Sequence, residues 1–280
     1  MIDNGGKKYS YIVGSDLDGT LLLHEKISPE NMAAIKKMKD IGVCFVPNSG
    51  RTISEMPKVV LENPDIRYYI GADGGIIWDK ETGERMSFAM GRETVRPVLD
   101  LLYSYPTLIT ARSEGVSYVD ANMCTEEGYG AHRISIPYGK FIDYYVQKRE
   151  DFRSFVYELP EIEMICVFFA DDVEMAECKA RIEALGEFSV ASSEPTNLEI
   201  FHKRAGKGST LLALADLLGV PHERTIAVGD SKNDMDMIEK AGISLAMENA
   251  TDELKAAADR TICLCAEHSA KYILENIIEL

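Results

Sequence analysis

The stretch YIVGSDLDGTLL, residues 11–22, decides the fold of this chain. It begins with a short apolar run, which predicts a buried strand. Asp16 and Asp18 follow that run, and a glycine and a threonine come directly after them. Charge is costly at the end of a buried strand unless it is paired. The two aspartates therefore predict either a turn and capping device or a site that holds something cationic.

The following segments alternate between helical and strand patterns. ISPENMAAIKKMKDIG, residues 27–42, predicts a helix with Ser28 as the N-cap and Pro29 at its first position. VCFVPNSGR, residues 43–51, and RYYIGADGGII, residues 67–77, predict two further strands. This order is typical of a parallel sheet with helices on both faces. It returns after about residue 195 and ends with TICLC, residues 261–265, as a last predicted strand.

The middle of the chain has a different pattern. TLITARSEGVSYVD and EIEMICVFFA predict strands, and RPVLDLLYSY and DDVEMAECKARIEALG predict amphipathic helices. We therefore predict an α/β protein with two domains. We expect residues 1–84 and 195–280 to form a three-layer core with a parallel sheet, and residues 85–194 to form an inserted α+β domain.

Composition restricts the partners. The chain has 280 residues and a net charge of −16, which argues against nucleic acid and anionic membranes as partners. It lacks the run of about 18 apolar residues that a membrane span needs, so we expect a cytoplasmic protein, a monomer or a weak homo-oligomer. The six cysteines show no zinc or redox spacing and predict buried reduced thiols.

Polar side chains follow several predicted strands or begin a helix. Ligands of open parallel sheets bind at the carboxyl ends of the strands, so we expect these side chains to converge. They are Asp16, Asp18, Ser49, Gly50, Arg51, Lys207, Asp230, Asn233 and Asp234.

Convergence would place four carboxylates together. Their repulsion predicts a divalent cation, and hard oxygen ligands favour Mg²⁺. The candidate ligands are Asp16, Asp18, Asp230 and Asp234. Lysine, arginine, serine and backbone N–H groups would hold phosphate oxygens, which is an arrangement for phosphoryl transfer. Asp16 closes a rigid strand and suits a nucleophile, and Asp18 suits a general acid and base.

The motifs DLDGTLL, NSGR, KG before a helix, and GDSKND resemble the four motifs of the haloacid dehalogenase superfamily of phosphohydrolases. The insert resembles the α/β cap, type C2B, of the Cof-type or IIB subclass. The resemblance implies a Mg²⁺-dependent phosphatase on a Rossmann-like core, acting on small phosphorylated metabolites, with sugar phosphates favoured. It implies Asp16 as the nucleophile and Asp18 as the acid and base. Asp16, the Asp18 carbonyl and Asp230 would bind the metal, and Ser49 and Lys207 the phosphoryl group.

The resemblance also implies that Asn233 and Asp234 support the metal or the substrate phosphate, and that Arg51 supports the site. The chain departs from the family pattern at two places. Residues 73–75 are Asp-Gly-Gly where the family often has Asn-Gly-Ala, and residues 266–271 lack the usual Asn and Gly. Substrate preference therefore transfers poorly from the resemblance.

Two alternative functions stay open from the sequence. A phosphotransferase or mutase would use the same residues with a second hydroxyl in place of water. A binding protein for phosphorylated ligands would use the fold without turnover. The presence of both Asp16 and Asp18 favours an enzyme, because a binding protein has no need of an acid and base there.

Overall fold

The computed structural model describes residue 6 and residues 8–279. The strands are β1 Tyr11–Ser15, β2 Leu22–Leu23, β3 Lys26–Ile27, β4 Val43–Pro47, β5 Tyr68–Gly71, β6 Ile76–Asp79, β7 Arg85–Ser87, β8 Met90–Gly91, β9 Thr107–Ser113, β10 Val116–Asp120, β11 Gln147–Arg149, β12 Glu161–Ile162, β13 Met164–Phe169, β14 Phe188–Ala191, β15 Asn197–His202, β16 Thr225–Gly229, β17 Ile243–Ala246 and β18 Arg260–Thr261. The helices are α1 Pro29–Asp40, α2 Lys58–Leu61, α3 Arg92–Leu102, α4 Glu126–Ala131, α5 Ile136–Tyr145, α6 Phe152–Glu158, α7 Asp172–Ala184, α8 Lys207–Leu218, α9 Met235–Lys240, α10 Asp252–Ala257 and α11 Ser269–Asn276.

The chain divides into two compact units. Unit 1 comprises the described residues up to Gly50, Met56–Met86 and the chain from Gly206 onward. Unit 2 comprises Arg51–Glu55 and Ser87–Ala205. Unit 2 thus extends beyond residue 194, the predicted end of the inserted domain, because β15 pairs antiparallel with β13.

Unit 1 contains a five-stranded sheet in the order β18-β17-β16-β1-β4. Every pairing in this sheet is parallel, and Ile12 of β1 lies opposite Cys44 on one side and Thr225 on the other. All five residues of β1 are buried, as expected of a central parallel strand covered by helices. The α/β class with a parallel core is therefore confirmed.

Local signals place the helices of unit 1. Ser28 accepts a hydrogen bond from the Asn31 backbone N–H at the start of α1, so the predicted cap is confirmed. The predicted strand at 261–265 is wrong in extent, because β18 is only two residues long. The Leu264 and Cys265 N–H groups donate to the side chains of Glu267 and Asn249 instead of to a neighbouring strand.

Unit 2 is built on a six-stranded sheet in the order β11-β10-β9-β13-β15-β14. All its pairings are antiparallel except that between β10 and β11. Apolar side chains of β9, β13 and β15 pack with those of α3, α6 and α7 in one buried cluster. Residues 51–55 join this unit because the Ser54 N–H donates to the Gly115 carbonyl, 3.1 Å away.

Two further sequence predictions concern the membrane and the cysteines. Among the described residues, no helix combines the length and apolar character that crossing a membrane requires. All six cysteines are free thiols. Cys44, Cys166 and Cys178 are buried, whereas the other three are partly exposed.

Candidate active site

Asp16 lies directly after β1, an inner strand of the parallel sheet of unit 1. Its backbone N–H donates to the Val228 carbonyl of β16 at 3.0 Å, so the residue extends the parallel pairing by one position. The residue is only 6% exposed. The position of this carboxylate is therefore fixed by the sheet itself.

Lys207 is the first residue of α8 and points back to the strand ends. Its Nζ donates to Asp16 Oδ1 at 2.7 Å and to Asp234 Oδ1 at 2.6 Å. The start of the helix is held by Asp236, whose Oδ2 accepts from the N–H groups of residues 208 and 209. The Asn48 amide donates to the Lys207 carbonyl at 2.9 Å, which ties this helix to the end of β4.

The loop after β16 carries two further carboxylates, those of Asp230 and Asp234. Asp234 is fully buried, and its Oδ2 accepts from the N–H groups of Asp230 and Ser231 at 2.9 and 3.0 Å. Asp230 Oδ1 accepts from the Thr20 hydroxyl at 3.1 Å. Asp234 thus shapes its own loop, and Thr20 links that loop to the segment that carries Asp16.

Burial and like charge disfavour ionisation in this cluster. Burial, followed by the charge of Asp234, raises the pKa of Asp16 well above its usual range, although Lys207 opposes this. Burial and Asp234 together raise the pKa of Asp230 to about 6. Burial alone would lower the pKa of Lys207, but the carboxylates of Asp16, Asp234 and Asp73 outweigh burial, and the pKa is raised.

These carboxylates suit a metal ion. Oxygen atoms of Asp16, Asp230 and Asp234 lie within 4.8 Å of one another. Lys207 is the cation that contacts two of them, so the cluster carries more negative than positive charge when it is fully ionised. Burial first, and this excess of negative charge second, raise the pKa values of Asp16 and Asp230. A hard divalent cation with oxygen ligands would relieve it. Asp18 is exposed and is not one of the three, so its part in metal binding stays a prediction.

The residues predicted to bind phosphate divide between the units. In unit 1, Ser49 is buried and its N–H donates to the Ile70 carbonyl at 3.0 Å. Asn233 donates to Asp73 Oδ1 at 3.4 Å. A Cβ atom on Gly50 would lie 3.2 Å from both carboxylate oxygens of Asp73. Ser49, Gly50 and Asn233 therefore surround the loop at 72–75.

Arg51 belongs to unit 2. Its guanidinium carbon lies 5.4 Å from the ring centre of Phe141 and 5.7 Å from that of Tyr145, and Nη1 donates to the Glu55 carbonyl. This stacking is a cation–π arrangement. The predicted contact of Arg51 with phosphate stays a prediction.

Sequence reasoning assigned no role to three residues that organise the site. Asn48 and Asp236 hold the start of α8. Asn249 donates to the Gly19 carbonyl at 2.9 Å and to Asp230 Oδ2 at 3.5 Å, and it accepts from the Cys265 N–H. Asn249 follows β17 closely, so the rule that ligands gather at strand ends could have identified it.

Comparisons with known proteins agree with this geometry. A family model described as haloacid dehalogenase-like hydrolase matches residues 13–272. The chain is 29% identical over 283 residues to the 5-amino-6-(5-phospho-D-ribitylamino)uracil phosphatase YwtE of Bacillus subtilis (strain 168), with 95% of this chain and 97% of that protein covered.

Solved structures share the fold. A haloacid dehalogenase-like hydrolase from B. subtilis has a TM-score of 0.79 and 24% identity, with 96% of this chain and 100% of that chain covered. The subclass IIB sugar phosphatase BT4131 has a TM-score of 0.75 and 19% identity, with 94% and 97% covered.

The parallel core, its acidic cluster at the strand ends and these matches define a hydrolase of the α/β class. The chain belongs to the haloacid dehalogenase-like hydrolases. This membership and the named relatives confirm the predicted enzyme class, a phosphoric monoester hydrolase acting on small phosphorylated metabolites.

Proposed function

We propose that this protein is a Mg²⁺-dependent phosphatase that works through an aspartyl-phosphate on Asp16. The observation that carries the proposal is the placement of the Asp16 carboxylate. Oδ1 is held by Lys207 at 2.7 Å, which leaves Oδ2 as the attacking oxygen. A carboxylate fixed at the end of a strand and oriented by a cation meets the requirements of a nucleophile.

The proposed reaction has two steps. Asp16 attacks phosphorus, the bond from phosphorus to the ester oxygen breaks, and Asp18 protonates the leaving alkoxide. Asp18 then removes a proton from water, which attacks phosphorus, breaks the bond to Asp16 and releases inorganic phosphate. Asp18 is exposed and lies two residues beyond the nucleophile, so water can reach it. The proton that it gives to the alkoxide in the first step is replaced by the proton that it takes from water in the second.

The metal would be held by Asp16 and Asp230, with Asp234 supporting them. Both oxygens of Asp234 already accept hydrogen bonds, from Lys207 on one side and from two backbone N–H groups on the other. Asp234 therefore suits the orientation of Lys207 and Asp230 better than direct coordination. When bound, Mg²⁺ would supply charge neutralisation for the phosphoryl group.

For the substrate, we propose a phosphate monoester of a polyhydroxylated carbon chain. Sugar phosphates are the class that the motif resemblance favours. The named substrate of the B. subtilis relative carries its phosphate on a ribityl chain, which has the same local chemistry. Both compounds present a primary phosphate beside several hydroxyl groups.

The test is a panel of phosphate esters with purified protein, in Mg²⁺ and in EDTA. The panel includes hexose phosphates, 5-amino-6-(5-phospho-D-ribitylamino)uracil, pyridoxal phosphate, flavin mononucleotide and nucleotides. We expect phosphate release that requires Mg²⁺ and is fastest for the polyol esters. Transfer of labelled phosphate to a second sugar hydroxyl would instead identify a phosphotransferase. Absence of release from every ester would overturn the proposal.

The covalent intermediate has its own test. A rapid acid quench with ³²P-labelled ester should leave label on the protein that hydroxylamine removes, as expected of an acyl phosphate. Asp16→Asn should carry no label. Equal labelling of this variant and the natural protein would place the nucleophile elsewhere.

A further inference from the structure

The loop at residues 72–75 of unit 1 holds a buried carboxylate in an uncommon backbone conformation. Ala72 and Asp73 have φ values of 52° and 49°, although neither is glycine. Such conformations cost about 1–3 kcal/mol each and persist where the surroundings determine them. Asp73 is 3% exposed. The surrounding residues therefore hold a buried carboxylate in place at the cost of backbone strain.

Contacts on two sides hold this loop. The Asp73 N–H donates to the Ser49 carbonyl at 3.1 Å, and the Thr210 hydroxyl of α8 donates to the Gly74 carbonyl at 2.7 Å. A Cβ atom on Gly74 would lie 2.4 Å from the Gly206 backbone. The loop is thus packed directly against the residues that precede Lys207.

The Asp73 carboxylate lies among the groups predicted to bind phosphate. Oδ1 accepts from the Asn233 amide at 3.4 Å, and both oxygens lie 3.2 Å from the position that a Gly50 Cβ would take. Its charge also contributes to raising the pKa of Lys207. Asp73 is outside the group of carboxylates that approach one another closely enough for a metal, namely Asp16, Asp230 and Asp234.

We propose that Asp73 sets the affinity of the site for phosphate, because it competes with the phosphate dianion for the Asn233 amide and places a negative charge near Gly50 and Lys207. This inference rests on the proposed function. The carboxylate of Asp73 and a phosphate dianion beside the same residues repel each other strongly in a partly buried site. Bare inorganic phosphate then binds weakly, so a substrate gains its affinity through the leaving group, and the phosphate product leaves readily.

The test is calorimetric titration of inorganic phosphate into the Mg²⁺-loaded full-length protein. Asp73→Asn removes the charge and keeps the shape, and asparagine tolerates the left-handed backbone. Asp73→Gly removes the whole side chain and also suits this backbone. Asp40→Asn is the matched control, because it removes one charge from a half-exposed partner of Lys36 in the same unit.

We expect both Asp73 variants to bind phosphate about tenfold more tightly than the natural protein, which corresponds to about 1.4 kcal/mol. We expect Asp40→Asn to stay within about twofold. A loosened loop would weaken phosphate binding, so the direction of the change separates charge competition from a structural role. Unchanged or weaker binding in both Asp73 variants would overturn the inference.

The titration does not require turnover. If the ester panel shows no hydrolysis, the proposed function fails, but the phosphate titration still tests the role of Asp73. If hydrolysis occurs and the Asp73 variants bind phosphate like the natural protein, only the role of Asp73 fails.

Discussion

Lys207 in unit 1 and Arg112 in unit 2 are both buried cations among carboxylates, but their surroundings differ. Lys207 contacts two carboxylates at 2.7 and 2.6 Å. Arg112, on β9, lies 4.0 Å from Glu55 and donates to the Met164 sulfur at 3.7 Å. Burial acts to lower the pKa of Arg112, but nearby charges, Glu55 first and Glu199 among them, leave it raised.

The difference follows from where the side chains originate. In unit 1 the carboxylates come from loops at neighbouring ends of parallel strands, where several chain segments converge on one point. In unit 2 the arginine stands on the face of an antiparallel sheet, and Glu199 comes from β15 with β13 between them. The contrast teaches that strand ends gather carboxylates from several chain segments around one cation, as binding requires, whereas in unit 2 the charged groups stand on the strands of the sheet.

The largest expected effect is on turnover. Asp16→Asn removes the nucleophile and should lower kcat by at least about 10³-fold. The matched control is Glu55→Gln in unit 2, which removes a buried carboxylate outside the proposed chemistry and should leave kcat within about tenfold. Steady-state phosphate release measures both, and comparable losses would remove the distinction between the two regions.

Replacing each buried cation tests the comparison through stability. Lys207→Met and Arg112→Met should each lower the free energy of unfolding by about 3–5 kcal/mol, because buried carboxylates lose their counter-charge. Mg²⁺ should stabilise both variants, because both keep Asp16 and Asp230. The gain should be larger in Lys207→Met, where the ion replaces the lost positive charge. Urea unfolding with and without Mg²⁺ measures this, and no gain from Mg²⁺ in either variant would contradict the metal assignment.

Alanine substitutions at two glycines with positive φ, one in each unit, compare how closely the backbone is packed at those positions. Gly74 has φ 91°, and its Cβ would lie 2.4 Å from the Gly206 backbone. Gly115 in unit 2 has φ 75°, and its Cβ would lie at an ordinary 3.4 Å from Ile53. Both alanine variants are strained by about 1–2 kcal/mol, and Gly74→Ala should lose about 1–3 kcal/mol more from overpacking. Equal melting temperatures would show that the loop at 72–75 can move aside.

The smallest expected effect is on the pH dependence of metal binding. With the pKa of Asp230 raised to about 6, protons compete with Mg²⁺ below that pH. The apparent affinity should fall about tenfold between pH 7.5 and pH 5. Calorimetry at the two pH values measures it. An affinity that stays constant between the two pH values would show that the pKa of Asp230 is not raised.

The raised pKa of Asp230 also determines whether the stability of the metal-free protein rises or falls with pH. Between the ordinary value of 3.8 and about 6, the folded protein binds more protons at Asp230 than the unfolded chain. The contribution of Asp230 to stability is therefore present at low pH and lost as the pH rises through that window. Stability of the metal-free protein that rises through this window would contradict the assignment to Asp230.

Local sequence patterns predicted much of the fold and of the candidate site. Apolar runs of strand length predicted the parallel core, and Ser28 predicted the start of α1. The order of the acidic, serine and lysine motifs predicted the cluster that joins Asp16, Lys207 and Asp234. The ion pairs of Lys207 lie where this order leads one to expect them, because parallel strands must end at one edge of a sheet, whatever lies between them in the chain. The roles of these residues stay predictions.

Other features depend on contacts between distant segments, which no local pattern encodes. The sequence by itself determined the class of fold and the chemical types at the strand ends. Only the tertiary structure decided that Asn249 bridges Gly19 and Asp230, and that Asp73 lies beside Gly50 and Asn233. The physical reason is that side-chain partners are selected by packing in three dimensions, so residues remote in the chain become neighbours only once the sheet and α8 have formed.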